Sequence, residues 1–325
     1  MTVIVNCTTE SENRTTSTWS PPPARNLITA RQKVTWSPVR LWSIFWHGLT
    51  HIGTHREVLR LLLGVPVYAE VAFKKPSFPV KYLAPHYLLR GFTVAERASC
   101  FLHHYRRLRA ALPESLLRGI LQDDVTIYQI PDGSARFSLT MGLSKPHDEE
   151  GELSLFLRVD GEIVFVLSFT IVPGWVVKSQ AAEILLITRL QGIKGAYPPI
   201  SYATKTLHDV APGALLFAAL QGIADAFGIG EIAAVSGVMQ SYYREDDAAD
   251  FKQAYDDFFT ELGIPKSAAG FFRIPLPLQE KPLTFIKHGH KIRTRGKRAF
   301  KQQIQLACAG FFEKFAPDAS RKLPA

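Results

Sequence analysis

Cysteine is scarce in this 325-residue chain: Cys7, Cys100 and Cys308 are odd in number, far apart and never in a CxxC pair. That argues against a disulfide framework or a zinc-thiolate site and predicts a reducing compartment. Long hydrophobic runs are missing too. No window reaches about 18 uninterrupted apolar residues, so no membrane-spanning helix is expected. The opening residues Met1–Asn6 have neither a basic n-region nor an apolar h-region, which argues against a secretory signal. The expected location is the cytoplasm, with a peripheral position at the inner membrane. Several catalytic signatures are also absent. No His has Asp five residues on, and no GxSxG elbow, Walker loop or GxGxxG occurs. These absences argue against HxxxxD acyltransferases, serine hydrolases, P-loop enzymes and ordinary dinucleotide enzymes.

What is present begins with charge. Hydrophobic residues make up 46% and charged residues 21% of the chain, as in globular proteins. The net charge of +9 is concentrated in one place. Lys287, Lys291, Arg293, Arg295, Lys297, Arg298 and Lys301 fall within fifteen positions that hold no acidic residue, and without them the remainder is near +2. Such a patch marks an acidic partner. An anionic membrane surface is the expected one, with Arg293, Arg295, Lys297 and Arg298 as its contacts. Nucleic acid fits less well, because only Phe300 interleaves an aromatic for base stacking.

Residues 1–38, rich in Ser, Thr and Pro, read as a disordered tail. A helical region is expected over 39–124, an α/β core over 125–278, and a basic segment with a closing helix over 279–325. Trp42, Phe45, Trp46 and Leu49 form one helical face, while His47, His51 and His55 recur every fourth residue on another. The three imidazoles read either as metal ligands or, more simply, as part of an amphipathic helix packed on the domain or lying at a membrane surface. Thr93-Val-Ala-Glu96 is a capping box. The stripe Val94, Ala98, Phe101, Tyr105, Leu108, Leu112 after it faces the core. His103 and His104 fall off that stripe and read as solvent-facing rather than as a catalytic pair.

Residues 125–172 read as strands. Val125–Ile130 and Ala135–Leu143 flank Pro131-Asp132-Gly133, and Leu153–Val159 and Ile163–Val172 flank Asp160-Gly161, a hairpin turn pair. A two-residue turn there pairs residues whose numbers sum to 321, so Leu155 faces Val166 and Phe156 faces Phe165. Both faces are apolar, which predicts a sheet covered on both sides. A strand at Glu183–Leu190 then opens into the loop Arg189-Leu-Gln-Gly-Ile-Lys-Gly-Ala196. An insertion, Tyr197–Thr206 with Pro198-Pro199, leads to a helix from Pro212 to Phe227 that Gly228 stops. Strand Glu231–Val238 follows, then a helix bearing Phe251, Tyr255, Phe258 and Leu262.

This order is similar to the topology of the acyl-CoA-binding acetyltransferases, in which the pyrophosphate rests on backbone amides between the central strand and the next helix. Their loop reads Gln or Arg, two residues, Gly, one residue, then Gly or Ala. Arg189-Leu-Gln-Gly192 supplies the first half, Lys194 stands where the small residue belongs, and Gly195-Ala196 comes one position late. Arg189, Gln191, Gly192, Gly195 and Lys205 are the donor-site candidates on this reading; a structural turn or a different ligand is the alternative. His208 fits a general base, and Tyr242, Tyr243 and Tyr255 occupy the region where related enzymes often place a tyrosine acid. The simpler reading makes Lys205 and His208 plain surface residues and puts Tyr255 on the core stripe.

Four separated segments carry a further likeness: ITRLQGIKGA (187–196), ATKTLHDVAPGALLFAAL (203–220), AYDDFFTELG (254–263) and FFRIPLPLQEKPLTFIKHGHKIRTRGKR (271–298). Together they resemble the VirK/YbjX family of Gram-negative bacteria, over roughly residues 75–305. Phe259 stands where Trp is common and Asp209 where Gly is common. The resemblance implies a part in envelope or surface-protein homeostasis and virulence, and it implies no catalytic residues. The resulting expectation is an α/β (α+β) protein whose acetyltransferase-like mixed sheet is covered by helices on both faces, with helical extensions at either end. It would serve the envelope, as an acyltransferase with an acyl-CoA or acyl carrier protein donor. The alternative is a non-enzymatic membrane-associated adaptor for lipid or nascent envelope proteins.

Overall fold

A computed structural model describes residues 50–130, 137–145, 147–280 and 282–315. The tail at 1–38, the aromatic face Trp42–Leu49, His47 and the turn Pro131-Asp132-Gly133 lie outside the described residues.

Two helices open the described chain, α1 (Ile52–Leu63) and α2 (Pro66–Lys74). Next come α3 (Val94–Ala111), which begins at the capping box formed by Thr93 and Glu96, and α4 (Glu114–Gln122). Every residue of the α3 stripe is buried. So is His104, contrary to the solvent-facing expectation: its Nδ1 accepts from the Ile171 amide at 3.0 Å. A helix lying flat on a sheet buries more than one stripe, and the extra width reaches His104. His103 is half-buried and pairs with Glu183 at 2.9 Å.

Seven strands form one open mixed sheet in chain order: β1 (Val125–Ile130), β2 (Phe137–Leu143), β3 (Leu153–Val159), β4 (Glu162–Pro173), β5 (Glu183–Gly192), β6 (Glu231–Val235) and β7 (Phe271–Pro275). All neighbours are antiparallel except β5 and β6, which run parallel. The β3–β4 turn has Asp160 at φ 49° and Gly161 at φ 84°, the left-handed pair that a two-residue hairpin requires. The 321 register holds at Arg158↔Ile163 and Val159↔Glu162 only. A bulge beyond Leu157 shifts it by one, so Leu155 faces Leu167 and Phe156 faces Val166.

The β5–β6 connection contains two helices. Residues 197–206, expected to be an insertion, form α5 (Tyr197–Thr206), with Pro198 and Pro199 in the first turn, where proline is tolerated. α6 (Pro212–Phe227) carries Pro212 at its start and Gly228 in the left-handed conformation at its end. It packs on β3, β4 and β5, while α3 packs across β4; helices cover both faces of the sheet. α7 (Ala248–Phe251) runs through a π-turn (Lys252–Asp256) into α8 (Asp257–Glu261). The closing helix α9 (Lys291–Glu313) lies along α6 and reaches β1. One large apolar cluster runs from Val58 to Phe312, so the N-terminal helices, sheet and closing helix share a core; Phe156, Ile163 and Val166 form a small separate cluster.

Candidate functional site

The parallel pair sets the site. β5 and β6 are bonded only from Leu185↔Ile232 to Ile187↔Ala234. β5 then continues alongside β4 through Gln191 and Gly192, whereas β6 stops at Val235 and the chain turns away through a 3-10 turn, Gly237–Met239. The wedge between them is closed by the α7–π–α8 segment. π-turns recur at functional sites, because the extra residue in the turn displaces side chains from the regular helical face. Here it brings Phe251, Ala254 and Tyr255 to a cavity of about 530 Å³, whose other walls are His147, Glu150, Gln191, Gln240 and Tyr242. A second cavity of about 310 Å³ shares Gln191 and Ala254 and is otherwise lined by Phe165, Leu190, Gly192, Gly213, Gln253 and Phe258.

Arg189, where the expected strand Glu183–Leu190 meets the expected loop, is a strand residue with a side chain only 5% exposed, 3.4 Å from the equally buried Glu150. With its amide oxygen turned toward Arg189, Gln191 accepts from Nε at 2.7 Å and Nη2 at 2.8 Å. The other end of that amide lies 3.4 Å from the Tyr255 hydroxyl. Glu150 Oε2 and Arg189 Nη1 then have no hydrogen-bond partner among the described residues. Burial raises the Glu150 carboxyl pKa, and the Arg189 charge works against that rise. Burial, then the Arg189 charge, lowers His147; burial raises the Tyr255 phenol.

The structure sets Gln191 on the walls of both cavities and Gly192 on the wall of the second, while Arg189 lines neither and lies behind the first, against Gln191 and Glu150. Gly195, at φ +85°, forms the turn after β5 with open space around it, and Lys205 is exposed on the last turn of α5. Neither lines either of these two cavities. Residues 189–196 are the end of β5, through Gly192, followed by a turn. His208 packs its ring 4.7 Å from Phe300, and Tyr242 stacks on His86 at 5.5 Å while its hydroxyl reaches Glu149 at 2.9 Å. Sequence reasoning missed Glu150, His147 and Gln240. The available signal was the acidic run Asp148–Glu152, four carboxylates among apolar strands. Arg293 is ion-paired to Asp209, and Arg298 and Lys301 to Glu280, while Arg295 is exposed and Lys297 half-buried.

The family model described as "Protein of unknown function (DUF535)" matches residues 40–307. The chain belongs to this family. DUF535 is the VirK/YbjX family that the four segments resemble, and the match covers the helical N-terminal region, the sheet and most of α9. No curated protein and no solved structure matches the chain. Among the described residues no helix of this DUF535 member is long and apolar enough to cross a membrane.

Proposed function

We propose that this DUF535 protein binds an acyl-thioester donor, an acyl-CoA or acyl carrier protein, and serves envelope or surface-protein homeostasis by acyl transfer. The observation that carries the reading is the wedge where the parallel strands β5 and β6 separate, with two cavities meeting at Gln191 and Ala254. Acetyltransferases that bind acyl-CoA have a similar order of strand, helix and parallel strand. The second cavity suits the apolar part of such a donor: Phe165 and Phe258 form walls, and Gly213 keeps the start of α6 open. Leucine at Gly213 would fill that space, because a Cβ there meets Phe165 at an ordinary 3.5 Å and the helix is not strained.

Octanoyl-CoA should raise the melting temperature of the wild-type chain, since a ligand at 100 times its Kd stabilises the native state by about 2.7 kcal/mol. Gly213→Leu should fold normally and lose the shift. No shift with octanoyl-CoA or with octanoyl-acyl carrier protein would remove the donor reading and favour the adaptor. A specific observation supports that second reading: Phe285 and Ile292 are 80% and 84% exposed beside Lys287, Lys291 and Arg295, a surface chemically suited to anionic lipid.

A further inference from the structure

The larger cavity contains a chemical mismatch. Glu150 lines it and is 7% exposed at the side chain, yet its Oε2 receives no hydrogen bond among the described residues. The cation beside it among the described residues is Arg189, whose Nε lies 3.4 Å from that same Oε2 as an ion pair but donates its hydrogen bond to the Gln191 amide. A buried carboxylate oxygen that has an ion-pair neighbour but no hydrogen bond still lacks a donor. A missing hydrogen bond at a buried acceptor costs about 1–3 kcal/mol, lessened here by the Arg189 charge, and a ligand donor would remove that cost. The walls around it are flat and aromatic: Phe251 stacks on Tyr255 at 5.8 Å, and His147 leans on Tyr242 at 5.9 Å. The cavity joins the proposed donor cavity through Gln191 and Ala254, so a molecule seated in one lies next to a molecule seated in the other.

We infer that this cavity is an acceptor subsite, taking a small polar group that presents a primary amine or hydroxyl to the Glu150 carboxylate between the Phe251, Tyr255 and Tyr242 rings. The catalytic role of Glu150 rests on the donor reading above. In the transfer, the acceptor nitrogen or oxygen forms a bond to the thioester carbonyl carbon and the C–S bond breaks. The acceptor's proton passes to Glu150. The departing thiolate takes up the proton that Glu150 then releases, and leaves as a thiol. Burial suits the carboxylate to this task, since it makes Glu150 a stronger base than a solvated glutamate.

Calorimetric titration of the full chain with ethanolamine and with glycerol tests the subsite, and titration with octanoyl-CoA runs alongside. At least one of the two small probes should bind the wild type. Glu150→Gln should weaken that probe roughly tenfold or more, the loss of one charge-assisted hydrogen bond. Phe251→Ala, which leaves the Glu150–Arg189 pair intact, should weaken it severalfold. Both variants should keep octanoyl-CoA binding within about twofold of wild type, which also shows that they are folded. Binding of neither probe to the wild type, or equal binding to Glu150→Gln, overturns the subsite. If a probe binds through Glu150 while octanoyl-CoA does not bind at all, the subsite stands as a binding site. The donor reading then fails alone.

Discussion

Glu152 has no solvent exposure, and three donors converge on it: the Lys81 ammonium at 2.5 Å, the Tyr87 hydroxyl at 2.5 Å and the Tyr105 hydroxyl. Removing one partner from a buried pair leaves the other charge without compensation, which costs about 3–5 kcal/mol. Glu152→Leu should lower the unfolding free energy by that amount in urea titration, whereas Glu152→Gln, which keeps an acceptor for the tyrosines, should lower it less. His104 gives a second residue-scale prediction. Burial, then the Lys81 and His103 charges, hold its pKa well below the ordinary 6.5. The folded protein therefore refuses a proton that the unfolded chain accepts, so stability is complete above pH 6.5 and falls as pH drops below it. The slope for one such group is about 1.4 kcal/mol per pH unit. His55 and His147 are lowered by burial too, so the contribution of His104 is read as a difference. Glu183 and Glu231, whose partners hold them below 4.5 despite burial, add their own losses only at lower pH. His104→Asn keeps an acceptor for the Ile171 amide. It should flatten the stability profile between pH 6.5 and 4.5; an unchanged slope there would show that His104 is not the group responsible.

At the scale of elements, α6 and α9 meet through a glycine. A Cβ at Gly222 would lie 2.1 Å from the Gln305 carbonyl oxygen, which belongs to backbone and cannot swing aside. Alanine at a helical glycine ordinarily gains up to about 1 kcal/mol. Gly222→Ala should instead lose about 1–3 kcal/mol in urea titration, as overpacked contacts do. Elements specified by short-range chemistry were legible in the sequence: the Asp160-Gly161 hairpin, the Thr93–Glu96 capping box, the Pro212 start and Gly228 stop of α6. Their determinants lie within a few residues of one another. The shifted β3–β4 register was not legible, because a bulge depends on what the sheet packs against. Nor was α5, since Pro198-Pro199 reads as a break until the chain is seen to begin a helix there. The candidate site was legible only in part. Gln191 and Gly192 were picked out by their loop-like composition. Glu150 meets Arg189, and Gln240 meets the Thr188 carbonyl at 2.8 Å, only after the sheet has formed. No local periodicity reports such contacts.

At the scale of the whole molecule, the uneven charge is partly answered from within. Of the seven basic residues between 287 and 301, Arg293 pairs with Asp209 at 3.0 Å, and Arg298 and Lys301 share Glu280. Lys287, Lys291, Arg295 and Lys297 make no ion pair among the described residues, and the exposed Phe285 and Ile292 stand among them in sequence. The division changes which residues should matter at a membrane. Each basic side chain near an anionic bilayer contributes on the order of 1 kcal/mol, falling off within about a Debye length, and an apolar side chain adds shallow insertion. The full chain should co-sediment with phosphatidylglycerol-containing vesicles and not with phosphatidylcholine vesicles, and added salt should weaken the binding. Lys287→Glu, Lys291→Glu and Arg295→Glu combined should abolish it, and Phe285→Ser with Ile292→Ser should reduce it. Reversing Arg293 and Arg298 to Glu places like charges against Asp209 and Glu280, so that pair should also lower the melting temperature in the absence of lipid. Equal recovery of the wild type and the Lys287, Lys291, Arg295 reversal in the pellet would mean that these charges only solvate the start of α9 and that lipid is not their partner.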